Sequence, residues 1–132
     1  MRPLTLRPIA TTSAVSAFEP ITDPAVLAQR MRDLADASIL ALDTEASSFH
    51  RFKERVCLVQ LSTRAATFLI DPLAIDDLAP LGALLADKGM EVVIHDADYD
   101  LRILAKHHNI RVENVFDTLV AAELLNEPEI GL

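Results

Sequence analysis

The chain of 132 residues contains one cysteine, three glycines and no tryptophan, and aromatic residues make up only 5% of it. The single cysteine, Cys57, excludes an internal disulfide and is typical of a reducing compartment, so we expect a cytoplasmic location. No apolar run approaches the roughly 20 residues that span a membrane. The N-terminus, interrupted by prolines, lacks the pattern of a secretory signal. A hydrophobic fraction of 51% with few glycines predicts one folded domain rather than disorder.

Positive charge is also scarce, because 12 Lys and Arg residues face 20 Asp and Glu residues, for a net charge of -8. Nucleic-acid backbones are usually bound by Lys and Arg, so this balance is unfavourable for direct contact with phosphates. Metal ions held by carboxylates can supply the missing positive charge. The placement of the acidic residues is therefore more informative than their number.

Apolar periodicity and turn residues predict an ordered alternation of helices and strands in a domain over residues 21–132. Residues 1–20 are predicted to be an N-terminal extension or edge strand, with a possible strand near residues 14–18. The predicted strands are residues 38–45, 55–62, 66–70, 91–94 and 112–116, and the predicted helices are residues 24–35, 75–86, 97–108 and 117–125. Three antiparallel strands followed by parallel strands and helices predict a mixed sheet with flanking helices, an α/β fold.

Two of the predicted strands lead into carboxylates. The apolar run at residues 38–42 is followed by Asp43-Thr44-Glu45, and the run at residues 92–94 leads to a segment that ends in Asp100. Alternation along a strand places Asp43 and Glu45 on one face. Both faces of this first strand are apolar before Asp43, which predicts a strand covered on both sides. Ligands bind beyond the carboxyl ends of strands in such sheets, so we predict a divalent-cation site here.

Asp100 differs from its acidic neighbours along the chain. Asp96 and Asp98 open a predicted helix, where acids are favoured by capping and by the helix dipole, and Asp117 is predicted to cap the last helix. Asp100 instead borders the predicted apolar stripe of its helix, and a carboxylate in that position needs a partner. That stripe consists of Ala97, Leu101, Leu104 and His108.

Three segments resemble the 3'-5' exonuclease domain of ribonuclease D, in the DEDD exonuclease superfamily: ILALDTEASSFHRFKERVCLVQLSTRAATFLIDPLA, VVIHDADYDLRIL and VFDTLVAAELLN. Asp43 and Glu45 match the first motif of that family, and Asp100 matches the second. Gln60 lies in the matching Cys-Leu-Val-Gln-Leu strand, and the likeness runs from about Ile21 to Leu132. The resemblance implies a ribonuclease H-like fold.

The resemblance also implies a chemistry. Ribonuclease D-like enzymes hydrolyse phosphodiester bonds at the 3' end of a nucleic acid, more often RNA than DNA, by a two-metal mechanism with Mg²⁺ or Mn²⁺. Asp43, Glu45 and Asp100 would be the catalytic and metal-binding carboxylates. Further candidates for substrate contact, or for support of the site, are Thr44, Phe49, His95 and Tyr99.

The sequence departs from the family at the third motif, a Tyr-x-x-x-Asp or His-x-x-x-Asp pattern, which does not occur after Asp100. We therefore expect the C-terminal part of the domain to be missing and the chain to have at most trace activity. Two alternatives stay open. One is a non-catalytic module with a nuclease-like fold that binds nucleic acid or protein. The other is a phosphotransferase of the haloacid dehalogenase type, which requires Asp-x-Asp where this chain has Asp-Thr-Glu.

Overall fold

The structure, a computed structural model, describes residues 19–47 and 54–132. The possible strand near residues 14–18 and the candidate Phe49 lie outside these ranges. The helices are α1 (Pro24–Leu34), α2 (Ala79–Leu85), α3 (Ala97–His108) and α4 (Thr118–Leu124), and the strands are β1 (Ile39–Ser47), β2 (Arg55–Ser62), β3 (Thr67–Ile70), β4 (Glu91–Ile94) and β5 (Val115–Asp117). None of these helices is long and apolar enough to cross a membrane.

The five strands form one mixed sheet in the order β3-β2-β1-β4-β5. β2 is antiparallel to both β1 and β3, whereas β4 is parallel to both β1 and β5. The predicted mixed sheet is confirmed, and β2, β4 and α3 have the predicted bounds. The carboxyl ends of the three parallel strands therefore meet at one edge of the sheet.

The predicted first residue is correct for helix α1 but not for helix α2. The Asp23 carboxylate caps α1 by accepting hydrogen bonds from the N–H groups of Ala25, at 2.7 Å, and Val26, at 3.1 Å. α2 was predicted to begin at Ile75, but it begins at Ala79. Pro80 explains the difference, because proline fits the first turn of a helix and would break the hydrogen bonds of its interior.

The core lies on one side of β1. Leu40 and Leu42 are buried in a single cluster with side chains of α1, α2 and α3. The alternate positions of β1, namely Ile39, Ala41, Asp43 and Glu45, are exposed and form what we call the open face. Ile39 is 51% exposed, so the prediction that both faces of this strand are covered is wrong among the described residues. The three helices of the cluster all pack on the other face.

The Asp117 carboxylate caps two helices at once. At α4 it accepts from the N–H groups of Leu119, at 2.8 Å, and Val120, at 3.4 Å, as predicted for an N-cap. At α3 it accepts from Asp96, at 3.1 Å, and Ala97, at 2.8 Å. Asp96 is the N-cap residue of α3 and adopts a left-handed backbone (φ 56°), but its own side chain makes no capping hydrogen bond. The Asp117 carboxylate supplies the acceptor instead.

These hydrogen bonds predict a large stability role for Asp117. The N–H groups, that of Ala97 first, lower the pKa of Asp117 below its ordinary value of 3.8. We expect Asp117→Ala to reduce the free energy of unfolding at pH 7 by about 2 kcal/mol, roughly 1 kcal/mol for each capped helix. Urea denaturation followed by circular dichroism measures this loss.

Asp23→Ala is the matched control, since Asp23 caps one helix only and its loss is expected to cost about half as much. A group with a lowered pKa stabilises the fold above its unfolded pKa and loses that effect as the pH falls through its folded pKa. The gap between wild type and Asp117→Ala should therefore shrink below pH 3.8. Equal losses for Asp117→Ala and Asp23→Ala would contradict the double cap.

Candidate functional site

Strand β1 presents two carboxylates to solvent, Asp43 at its middle and Glu45 two residues before its last residue, Ser47. Asp43 and Glu45 lie on the open face, and in the antiparallel pairing Asp43 is opposite Gln60 while Glu45 is opposite Leu58. Directly opposed residues share a face of the sheet, so the Gln60 side chain lies beside Asp43. The sequence had marked Gln60 only as a family residue, although the hairpin register could have placed it here. The register shifts between Glu45 and Ala46, and the pairing continues to Ser47.

Thr44, between these two acids, faces the core and meets Asp100 of α3. Thr44 is 9% exposed and Asp100 is 6% exposed, and the Thr44 hydroxyl donates a hydrogen bond to Asp100 Oδ1. The prediction that Asp100 borders the core and needs a partner is confirmed. The apolar stripe of α3 is rotated from the predicted one, since its buried residues are Ala97, Asp100, Ile103 and Leu104, while Leu101 and His108 are half-buried.

Burial makes the Asp100 carboxylate electrostatically unfavourable in its charged form. Removal from water raises the pKa of Asp100 above its ordinary value of 3.8, and the negative charge of Asp43 raises it further. The hydrogen bond from the Thr44 hydroxyl and the backbone N–H groups of Thr44 and Asp100 favour the charged form, but they offset the rise only in part. A cation at this edge of the sheet would offset both the cost of burying the charged carboxylate and its repulsion by Asp43.

The donor atoms fit a hard divalent cation by their chemistry, because carboxylate oxygens are the ligands that Mg²⁺ and Mn²⁺ prefer. Asp43 is also near enough to Asp100 to shift its pKa. Within residues 19–47 and 54–132, however, no three His, Cys, Asp or Glu side chains gather closely enough to hold a metal ion. Asp43 and Glu45 point from the open face, whereas Asp100 lies on the core side. Their joint role as ligands stays a prediction.

His95 follows β4 at the same edge of the sheet. β1 and β4 run parallel, and Ala41 pairs with Val93. Asp43 lies two residues beyond Ala41, and His95 lies two residues beyond Val93. His95 is half-buried, and its Nδ1 lies 2.9 Å from the Thr118 hydroxyl. A substrate contact by His95 stays a prediction.

Tyr99 lies on the exposed side of α3, one residue before Asp100. It is 40% exposed, and its hydroxyl donates to Glu54 Oε1 at 2.5 Å. This hydrogen bond, which favours the protonated phenol, is the main reason why the pKa of Tyr99 is raised. The Arg102 guanidinium lies 6.0 Å from the ring centroid. Stacking of Tyr99 on a substrate base stays a prediction, as does that of Phe49, which lies outside the described residues.

The burial of Asp100 predicts that Asp100→Asn stabilises the metal-free protein. Asparagine keeps the shape of the side chain and removes its charge, so we expect the free energy of unfolding at pH 7 to rise. A buried acid with a raised pKa weakens the fold as the pH increases through its folded pKa. The advantage of Asp100→Asn should therefore disappear below pH 3.8. Thermal unfolding in the presence of a chelator measures both effects.

Asp98→Asn is the control on the same helix, because Asp98 is exposed and pairs with Arg102 at 3.1 Å. An exposed pair of this kind contributes about 0.5 kcal/mol or less. Destabilisation of the metal-free protein by Asp100→Asn at pH 7 would contradict the view that the charge of Asp100 destabilises the fold.

The sequence has recognisable relatives. A family model described as 3'-5' exonuclease matches residues 18–132. The Exosome complex component 10 homolog of Drosophila melanogaster is 35% identical over 107 residues, which make up 80% of this chain and 12% of that protein. Ribonuclease D of Pseudomonas paraeruginosa is 35% identical over 105 residues, or 80% of this chain and 28% of that protein. The chain therefore spans less than a third of the length of these two relatives.

A solved structure extends the likeness to three dimensions. Escherichia coli RNase D, an exoribonuclease involved in structured RNA processing, is similar with a TM-score of 0.78 and 28% identity over 84% of this chain and 30% of that one. Exonucleases of this family generally use divalent metal ions, and a two-metal mechanism is general among them. The matches do not support the haloacid dehalogenase alternative. The chain belongs to the 3'-5' exonuclease family, as a ribonuclease D-like domain of the DEDD superfamily with a ribonuclease H-like fold.

Proposed function

We propose that this chain carries the first three carboxylates of a 3'-5' exonuclease that hydrolyses phosphodiester bonds at the 3' end of RNA. One observation supports this above the others. Asp43 and Glu45 on β1 both face solvent, while Thr44 between them is hydrogen-bonded to the buried Asp100 of α3. Acidic groups from β1 and α3 thus lie on the side of the sheet where α/β proteins bind ligands, on opposite sides of β1 and linked through Thr44.

The proposed substrate is RNA rather than DNA. This is supported by the description of the E. coli relative as an exoribonuclease and by the ribonuclease D of P. paraeruginosa. The net charge of -8 makes direct binding of a polyphosphate chain unfavourable, so contact with the substrate would depend on cations at the carboxylates. We also propose a cytoplasmic location, on the basis of the single cysteine.

The proposed cofactor is a pair of Mg²⁺ or Mn²⁺ ions. When bound, such ions lower the pKa of a water molecule and stabilise the negative charge that develops on phosphate oxygens. Asp43 would be shared between the two ions, Glu45 would hold one of them and help orient the water, and Asp100 would support the other. Asp43 and Glu45 are exposed to solvent, and a cation near the buried Asp100 would favour its charged form, which burial disfavours.

A second candidate is a module that binds RNA without cutting it. One observation favours it: among the described residues, no three His, Cys, Asp or Glu side chains gather closely enough to hold a metal ion. Both candidates share the fold and the first two motifs. They differ in whether the carboxylates at β1 are needed for a chemical step.

Shortening of an RNA oligonucleotide labelled at its 5' end distinguishes the two candidates. With Mg²⁺ and a large excess of protein, we expect slow stepwise loss of nucleotides from the 3' end. Asp43→Asn should reduce the rate roughly 100-fold or more, since it removes an essential ligand charge. Asp98→Asn, which removes an exposed charge from α3, should leave the rate unchanged. A DNA oligonucleotide of the same sequence should be shortened more slowly.

Binding of the RNA without any shortening, over a range of Mg²⁺ and Mn²⁺ concentrations, would overturn the exonuclease proposal and support the binding module. Shortening that persists in Asp43→Asn would assign the activity to other residues or to a contaminant.

A further inference from the structure

Thr44 carries a hydroxyl group where the packing of β1 calls for an apolar side chain. The buried positions of this strand are Leu40, Leu42 and Thr44, and all three face the core that contains α3. Valine has nearly the same shape as threonine and would fill the space without a polar atom. A buried hydroxyl destabilises the fold unless it is hydrogen-bonded, so packing alone does not account for threonine at this position.

The partner of that hydroxyl is the Asp100 carboxylate, 56 residues further along the chain. Because Asp100 Oδ1 accepts this hydrogen bond, its orientation is fixed relative to β1, and Oδ2 keeps its lone pairs for another ligand. Hydrogen bonds to a charged group are among the stronger ones in proteins. The bond therefore ties the helix-borne acid to the strand segment whose neighbouring positions carry Asp43 and Glu45.

Hydrogen bonds fix the backbones of α3 and β1 close to the bond between Thr44 and Asp100. α3 begins three residues before Asp100, where Asp117 accepts hydrogen bonds from the N–H groups of Asp96 and Ala97. The regular pairing of β1 with β2 continues through Glu45, one residue beyond Thr44. With both backbones fixed, the remaining freedom of Asp100 is the rotation of its side chain, and the Thr44 hydroxyl restricts that rotation.

We propose that Thr44 is a positioning residue of the metal site, whose hydroxyl holds the Asp100 carboxylate so that Oδ2 is available to a divalent cation. This inference rests on the proposed function, since it requires cations at Asp43, Glu45 and Asp100. We propose this role for Thr44 instead of a contact with substrate, because its side chain is buried and already hydrogen-bonded to Asp100.

Calorimetric titration of the 132-residue chain with Mn²⁺ tests this role without a need for catalysis. We expect Thr44→Val to weaken Mn²⁺ binding roughly tenfold, the effect of losing one hydrogen bond to a charged group. Thr44→Ser keeps the hydroxyl and should restore affinity to within about threefold of wild type. Circular dichroism confirms that each variant is folded. If Thr44→Val does not fold, Thr44→Ala removes the same hydroxyl and carries the same expectation.

The outcomes separate this inference from the function on which it rests. Equal Mn²⁺ affinity of wild type, Thr44→Val and Thr44→Ala would overturn the positioning role and leave the metal site intact. Equal weakening by Thr44→Ser and Thr44→Val would also overturn it, because packing rather than the hydroxyl would then matter. A wild-type chain that binds no Mn²⁺, or binds it independently of Asp43, would overturn the proposed function and this inference together.

Discussion

The two-residue alternation of strand β1 decides which polar groups of the site can meet. Because Asp43 and Glu45 occupy alternate positions, both face solvent, and Thr44 between them faces the core. A slip of one residue would bury both carboxylates and expose Leu40 and Leu42. The apolar half of the strand therefore fixes the orientation of its acidic end, and it does so before any metal or substrate is present.

The protein stabilises the negative charges of Asp117 and Asp100 to different degrees. Asp117 accepts four backbone N–H groups from the starts of α3 and α4, and its pKa is lowered. Asp100 is buried beside Thr44 and near Asp43, and its pKa is raised. The first arrangement stabilises a fixed negative charge that holds two helices in place. The surroundings of Asp100 stabilise its negative charge only in part, as expected for a functional group that binds a cation.

The sequence predicted the order of elements and the ends of β2, β4 and α3, because polar residues lie at or next to the ends of these segments. It failed where three-dimensional neighbours decide the outcome. The periodicity of β1 shows that both faces are apolar, but not which face the helices cover. The cap of α3 comes from Asp117, 21 residues after Asp96, and this became visible only once β4 and β5 were paired. The pairing of Thr44 with Asp100 likewise depends on the rotation of α3, which the sequence placed too close to Leu101.

The proposed function depends on the attraction of a divalent cation to Asp43, Glu45 and Asp100. Anomalous diffraction from crystals of this chain grown with Mn²⁺ tests that requirement directly, because it locates the ion without reference to activity. We expect an anomalous peak within bonding distance of Asp43 and of at least one of Glu45 and Asp100. Well-ordered β1 and α3 with no peak there, or with Mn²⁺ only at other side chains, would contradict it.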